Sequence, residues 1–389
     1  MKRGCDVRVV MTESATKFIA PLTFQTLTHN PVTVSFWNER ESGNIGHIEL
    51  ADWADAIVIA PATADCIAKL TIGAAESTVL AVALATRSPL AIAPAMNTNM
   101  LSNPQTQDNI AALRKRGHTI VESETGELAC GWIGSGRLAS KREIYLQTLR
   151  MIGPKDLLGK RVVISAGPTR EMIDPVRYIS NRSSGKMGLA LANEAHRRGA
   201  SVTLVHGPVA GLASLSRDIR KVSVTSAAEM SEAVKNCVSG AEVGTAADVA
   251  IMAAAVADYR PATVGSSKIK KGPSAPTLPL VENEDILRSL GKFRKESHRT
   301  MLVGFAVETG TPAELVAEAK AKLGRKGADL IIGNRAEDAF DKGTNQVWIV
   351  SADQEPLHIE TSAKKVIARA ILDQIVTRLR QAPVCELTH

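Results

Sequence analysis

The sequence predicts an α/β protein built from two doubly wound, three-layer domains with mainly parallel sheets. Short aliphatic runs alternate with segments of helical spacing along nearly the whole chain. Aromatic residues make up only 3% while apolar residues reach 44%, which suits parallel strands buried between helices. A length of 389 residues is comfortable for two domains.

In the first half, "VRVVM" (7–11), "AIVIA" (56–60) and "LAIA" (90–93) read as strands, the last two stopped by Pro61 and Pro94. The stretch "TADCIAKLTIGAAESTVLAVALA" between them has helical spacing, and 142–150 reads as a closing helix. "MIGPKDLLGK" (151–160) then breaks the pattern with Gly153 and Pro154. We therefore expect domains at 1–152 and 153–389. The second half restarts with "RVVIS" (161–165), "SVTLV" (201–205), "VAIMAA" (249–254), "MLVGF" (301–305) and "DLIIG" (329–333). "QVWIV" (346–350) and a terminal helix from about 362 to 381 complete it. Met187, Ala190, Leu191 and Ala195 fall on one face of a helix. Residues 260–282, with prolines, small residues and the run "KIKK", read as a mobile excursion from the sheet.

The formal charge of +7 is spread along the chain, and the few aromatics offer no base-stacking platform. This favours small phosphorylated ligands and speaks against a nucleic-acid partner. Five dispersed cysteines form no CxxC pair and no metal-ligand spacing, which points to a reducing, cytoplasmic setting. No apolar run has membrane-spanning length, so no membrane partner is expected.

Residues 165–188, "SAGPTREMIDPVRYISNRSSGKMG", carry the strongest chemical signal. A strand leads into a loop whose donors are Ser180, Asn181, Arg182, Ser183, Ser184 and Lys186, with Gly185 and Gly188 allowing close backbone approach. The helix that follows adds its positive N-terminal end, so phosphate binding is expected. Neither GxxxxGK[ST] nor GxGxxG is present, and no dinucleotide fingerprint is claimed.

Together with "AAAVADYRP", "KIKK" and "GFAVET", that loop resembles the ligase domain of the bifunctional coenzyme A biosynthesis flavoproteins. The first half is similar to the decarboxylase domain of the same family through "GHIELADWAD", "APATAD", "PAMNTNM" and "ACGWIGSGR". The resemblance implies two Rossmann-like domains and two activities. One joins 4′-phosphopantothenate to L-cysteine with CTP and magnesium, through an acyl-cytidylate. The other decarboxylates 4′-phosphopantothenoylcysteine with FMN. It also implies a homo-oligomer, with decarboxylase trimers and ligase dimers.

For the ligase, the resemblance assigns the acyl-cytidylate to Asn181 and closure over the nucleotide to Lys268. It makes Asp258 a candidate nucleotide and magnesium contact, Phe305 the nucleotide-contacting aromatic, and Lys322 and Lys326 triphosphate ligands. Plainer readings stay open: a turn asparagine, a solvated lysine run, a turn-capping aspartate and a core phenylalanine. One departure is "GNRAED" (333–338), where Asn334 is kept but Arg335 replaces an acidic residue.

For the decarboxylase, the resemblance makes His47 the catalytic histidine, Asn97 the grip on the substrate carboxylate and Cys130 the final acid. Thr63, Asp65 and Met96 are placed at the flavin, and Gly131, Gly134 and Gly136 suit a flap. The plainer readings are a structural histidine, a helix N-cap and a small buried hydrophobe. Against the family pattern, "MKRGCDVRVVMTE" matches only the end of the first helix and the next strand, without the first strand and the glycine turn at the flavin phosphate. We expect the start to lie inside a longer reading frame, because every later motif is intact. The alternatives are a chain that works as a ligase alone and a non-catalytic flavin-fold regulator.

Overall fold

The computed structural model describes residues 4–35, 46–129, 131–241, 246–271, 277–297, 300–335 and 343–381. The chain divides into two compact units, Met1–Gly153 and Pro154–His389.

Unit 2 is organised by an eight-stranded sheet. Its spatial order is Arg220–Ser223, Ser201–His206, Arg161–Ala166, Val249–Met252, Met301–Glu308, Leu330–Arg335, Thr344–Val350 and Leu357–Ala363. The first six strands are parallel and the last two antiparallel. Numbered along the chain, the parallel part runs 3-2-1-4-5-6, so the winding reverses between Arg161–Ala166 and Val249–Met252.

The central strands form because Val162–Ile164, Val249–Ile251 and Leu330–Ile332 are aliphatic runs buried on both faces. On one face Leu191 and Ala195 of the helix Lys186–Arg197 pack with Ile367, Ile371 and Ile375 of Lys364–Gln381. On the other, Met230, Leu290 and Leu315 come from the helices Ala227–Ser239, Ile286–Ser297 and Pro312–Lys326. The expected face of Lys186–Arg197 is there, Met187 and Ala190 at its margin and Leu191 and Ala195 inside it. Gly188 also lies inside, and a Cβ on it would stand 2.4 Å from the Cβ of Ala166.

Two strands of this sheet are not expected from the sequence, Arg220–Ser223 and Leu357–Ala363. Both lie at sheet edges and neither holds a buried residue, so neither leaves an aliphatic run. The excursion at 260–282 is partly ordered: Tyr259–Pro261 pairs antiparallel with Leu280–Glu282. Residues 272–276 of it lie outside the described residues.

Unit 1 is smaller. Ile57–Ala62, Leu90–Pro94 and Thr119–Ile120 form a parallel sheet, and Val9–Val10 pairs in parallel with Val32–Thr33. Among the described residues no ladder joins the two sheets, and Ile57–Ala62 is an edge strand. Pro61 does not end this strand as expected. The strand runs on to Ala62, with a register shift between Ile59 and Ala62 that accommodates the missing donor. The helical stretch after it is two helices, Ala64–Ile72 and Thr78–Ala85. Gly73 closes the first at φ 73°, and the Ser77 side chain caps the second. The closing helix is Lys141–Ile152. No helix among the described residues is long and apolar enough to cross a membrane.

The loop before Ile286–Ser297 is stapled by Glu284, which accepts from Lys235 Nζ at 2.5 Å and from the hydroxyls of Ser231 and Ser289 at 2.6 Å. The bond from Lys235, followed by those from the two serines, pulls its carboxyl down to about 2. A depressed carboxyl stabilises the fold above its unfolded value, and the effect fades as pH falls through the folded one. Glu284→Gln should therefore lower the thermal midpoint modestly at pH 7. The gap from the parent should close between about pH 4.5 and pH 2. A gap constant across that window would remove the staple from the account.

Candidate functional site

In unit 2, the chain leaves Arg161–Ala166 toward a helix on one face and Val249–Met252 toward a helix on the other. A crevice between their carboxyl ends follows from this topology. The two exit loops are stitched together across it. Ala255 N–H donates to the Gly167 carbonyl at 2.8 Å, Ala254 N–H to Ser165 Oγ at 3.1 Å and Ala257 N–H to Thr169 Oγ1 at 3.0 Å. Asn181 closes the set, its Nδ2 donating to the Val256 carbonyl at 2.9 Å. Gly167 (φ 80°) and Gly185 (φ 68°) both press on Val209, where added Cβ atoms would come within 2.2 and 2.4 Å of its Cγ1. Only glycine fits these two positions.

Gly185 is also the N-cap of Lys186–Arg197, whose first turn contains no acidic residue. Its first backbone N–H groups are directed at the loop end, a ready anion site. Asn181, Arg182 and Lys186 are exposed around it, and Ser183 and Ser184 are half-buried. Asp258 is exposed just beyond the stitch, where its carbonyl accepts Asn283 N–H at 2.8 Å.

The expected triphosphate lysines lie in the last two turns of the helix Pro312–Lys326, and each already has a carboxylate. Lys322 Nζ lies 2.6 Å from Glu308 at the end of its strand, and Lys326 Nζ lies 3.3 Å from Asp285. Phe305 is half-buried and packs on the core face shared with Lys186–Arg197. Asn334 is buried at a carboxyl strand end, and its Oδ1 has no hydrogen-bond partner among the described residues. Lys268 is exposed on the excursion, beside Ile269, whose backbone is bonded to Asp174 and Arg177. Asp174, Arg177, Asp285 and Glu308 were not picked from the sequence. The DxxR spacing of the first two was the only available signal.

In unit 1, Ala95 N–H donates to the Ala62 carbonyl at 3.0 Å, which sets Thr63 and Met96 at adjacent strand ends. Thr63 caps Ala64–Ile72 by accepting Cys66 N–H at 3.2 Å. Asp65 points outward and pairs with Lys69 at 2.9 Å. Hydrogen bonds from Lys69 to Glu76 and then to Asp65 raise its ammonium above the usual lysine range. Asn97 caps Thr98–Ser102, accepting Asn99 N–H at 2.8 Å, so the plain N-cap reading is realised in the fold.

A hairpin, Glu124–Glu127 with Ile133–Arg137, leans on this loop. Met96 N–H donates to the Gly136 carbonyl at 3.0 Å and Thr98 Oγ1 to the Ser135 carbonyl at 2.7 Å. Between hairpin and loop lies a cavity of about 340 Å³ lined by Met96, Asn97, Leu128, Gly136, Arg137 and Leu138. Trp132 and Ile133 stand exposed at the hairpin's turn, and Cys130 lies outside the described residues. His47 is half-buried in the first turn of Gly46–Trp53, a helix packed on Thr78–Ala85. The lining joins apolar Met96, Leu128 and Leu138 to the Asn97 amide and the charged Glu127 and Arg137, which suits a flat heteroaromatic ring with a polar edge, so these residues fit a flavin.

Residues 157–379 match the family model described as DNA/pantothenate metabolism flavoprotein C-terminal domain, and residues 1–153 match the one described as flavoprotein. The chain is 41% identical over 380 residues to the coenzyme A biosynthesis bifunctional protein CoaBC of Vibrio parahaemolyticus serotype O3:K6, covering 96% of this chain and 92% of that one. It is 42% identical over 367 residues to a cysteine/cysteine sulfinic acid decarboxylase from an unknown prokaryotic organism, covering 92% and 99%. Among solved structures, the C-terminal domain of a CoaBC protein is 38% identical, covering 58% of this chain and 99% of that one, with a TM-score of 0.48.

Gly136 tests the hairpin's close approach. Its φ is 119°, and a Cβ there would stand 2.1 Å from the Met96 carbonyl oxygen. Gly136→Ala should cost about 1–3 kcal/mol locally. It should speed amide exchange at Met96 and in Ile133–Arg137 by about tenfold or more. Unchanged exchange would mean that the hairpin does not rely on this contact.

Proposed function

The chain belongs to the family of bifunctional coenzyme A biosynthesis proteins, and from that membership we propose how its residues divide the work. It is a flavoprotein enzyme with phosphopantothenate–cysteine ligase and phosphopantothenoylcysteine decarboxylase activities. The assignments that follow rest chiefly on one observation, the stitched crevice of unit 2 with Asn181 in the stitch.

In the ligase reaction, the carboxylate of 4′-phosphopantothenate attacks the α-phosphate of CTP and pyrophosphate leaves. The amine of L-cysteine then displaces CMP from the acyl-cytidylate. Asn181 is the group for the acyl carbonyl. One of its N–H bonds is anchored on Val256, which fixes the amide where oxyanion charge develops. Arg182, Ser183, Ser184, Gly185 and Lys186 receive the phosphate of the pantothenate end at the helix start. Lys322 and Lys326 exchange their carboxylates for the triphosphate, and Lys268 completes the cationic surround for the first step. Phe305 and the unpartnered amide oxygen of Asn334 support a nucleotide with both apolar and polar surface at this edge. Magnesium, when bound, neutralises triphosphate charge. Asp258 is its protein ligand in this reading, and the single carboxylate is enough for an ion that keeps most of its waters.

In the decarboxylase reaction, FMN, when bound, would supply a reversible two-electron acceptor for the substrate's thiol-bearing carbon. Thr63 and Met96 would hold it at the adjacent strand ends, with Asp65 joining them on release from Lys69. Asn97 grips the carboxylate that leaves as carbon dioxide, His47 accepts the thiol-side proton, and Cys130 supplies the last proton. The glycine hairpin covers the cavity and excludes water. The working protein is a cytoplasmic homo-oligomer, with trimers through the decarboxylase unit and dimers through the ligase unit.

Asn181→Asp should release pyrophosphate from CTP and 4′-phosphopantothenate yet yield little cysteine adduct. Full turnover would take Asn181 out of the mechanism. With FMN added, the chain should release carbon dioxide from 4′-phosphopantothenoylcysteine and not from free cysteine or cysteine sulfinate. The opposite preference would replace the substrate proposed here.

A further inference from the structure

Asp174 sits in the turn between the short strands Arg170–Met172 and Tyr178–Ser180, its side chain fully enclosed. One carboxylate oxygen accepts the backbone N–H groups of Val176 and Arg177 at 2.8 and 2.9 Å. The other accepts Arg177 Nε at 2.9 Å and Nη2 at 2.5 Å, and also Ile269 N–H at 3.1 Å from 95 residues further along the chain. Arg177 Nη2 donates in turn to the Ile269 carbonyl at 2.7 Å. One ion pair thus takes both polar backbone groups of the residue that follows Lys268. A second tie, Gly265 N–H to the Ile173 carbonyl at 2.9 Å, lies just upstream.

These bonds have little else to help them. Residues 266–271 are exposed and form no helix or strand, so among the described residues it is these bonds that fix the Lys268 backbone. The other end of the tie is firm, since Tyr178–Ser180 runs straight into Asn181 and the crevice stitch. An enclosed carboxylate persists only when fully bonded, and this one is. The Arg177 bond outweighs burial and, with the backbone donors, holds the Asp174 carboxyl far below the usual range, so the pair stays charged at any physiological pH.

We propose that the Asp174–Arg177 pair is a positioning latch for the first half-reaction of the ligase, fixing the backbone at Ile269 so that Lys268 is carried on the hairpin that presents Asn181. The latch rests on the roles given above to Lys268 and Asn181.

The test uses the full chain with CTP, magnesium and 4′-phosphopantothenate, without cysteine. It reads pyrophosphate release, and amide exchange of the ligand-free protein is followed in parallel. Asp174→Asn and Arg177→Lys should each speed exchange at Ile269 by about tenfold or more, the loss expected for a charge-assisted hydrogen bond. Each should slow pyrophosphate release at saturating CTP by about the same factor, with exchange in Arg161–Ala166 unchanged. Placed on Lys268→Gln, Asp174→Asn should cost less than about twofold more, because the side chain it positions is gone. Unchanged exchange at Ile269 would overturn the latch whatever happens to activity. Faster exchange with full pyrophosphate release, or fully additive losses with Lys268→Gln, would overturn its role in the reaction. If Lys268→Gln alone releases pyrophosphate normally, the role of Lys268 has failed and the latch's purpose goes with it. Should Asp174→Asn lose protection in Arg161–Ala166, Arg177→Lys keeps the charge without the fork and carries the same comparison.

Discussion

The short hydrogen-bonded seam between the loops leaving Arg161–Ala166 and Val249–Met252 is what the ligand edge of unit 2 depends on. A parallel sheet directs its strand ends outward with their backbone groups unpaired, and a doubly wound sheet parts its helices at the reversal. Left open, that gap would be wet and poorly defined. The bonds from Ala254, Ala255 and Ala257, with the isolated bridge between Pro168 and Ala255, turn it into a fixed floor. Glycine at 167 and 185 lets both loops crowd Val209 closely enough for the floor to form. The Asn181 amide and the first turn of Lys186–Arg197 take their places from this seam.

Unit 1 solves a related problem with fewer parts. Its loop after Leu90–Pro94 is held from the opposite side by the hairpin, through bonds to the Gly136 and Ser135 carbonyls. Glycine again decides how near the two come, at Gly136 against the Met96 carbonyl and at Gly134 against the Thr98 hydroxyl. In each unit, the loops that carry Asn181 and Met96 have backbone already committed to hydrogen bonds. That arrangement keeps the cost of ordering them low when a ligand arrives.

Much of this was legible in the sequence. Strands buried on both faces announce themselves as aliphatic runs, and the loop 165–188 shows its donors and glycines directly. The edge strands Arg220–Ser223 and Leu357–Ala363 were not legible, because they bury nothing and carry no pattern. Pro61 misled because a register shift kept its strand going. Asp174 was hidden for another reason: its meaning lies in Ile269, and only the folded chain brings the two together. The lysines at 322 and 326 were readable as cations, but their partners Glu308 and Asp285 come from other elements. Cys130 and residues 336–338 of the altered "GNRAED" segment lie outside the described residues.

Those two lysine pairs would give the proposed nucleotide site a character of its own before any nucleotide reaches it. A bare lysine cluster would act as an open sink, collecting chloride, free phosphate or any passing polyanion. Here Lys322 is largely buried and already matched by Glu308, and Lys326 is matched by Asp285. A visiting anion must displace a tethered carboxylate, whose local concentration is far higher than that of solutes in the surrounding water. A weakly charged visitor loses that contest, whereas a triphosphate engages several cations together. If the two lysines meet the triphosphate as proposed above, the site would act as an ion exchanger with a threshold, discriminating by the number of charges delivered at once.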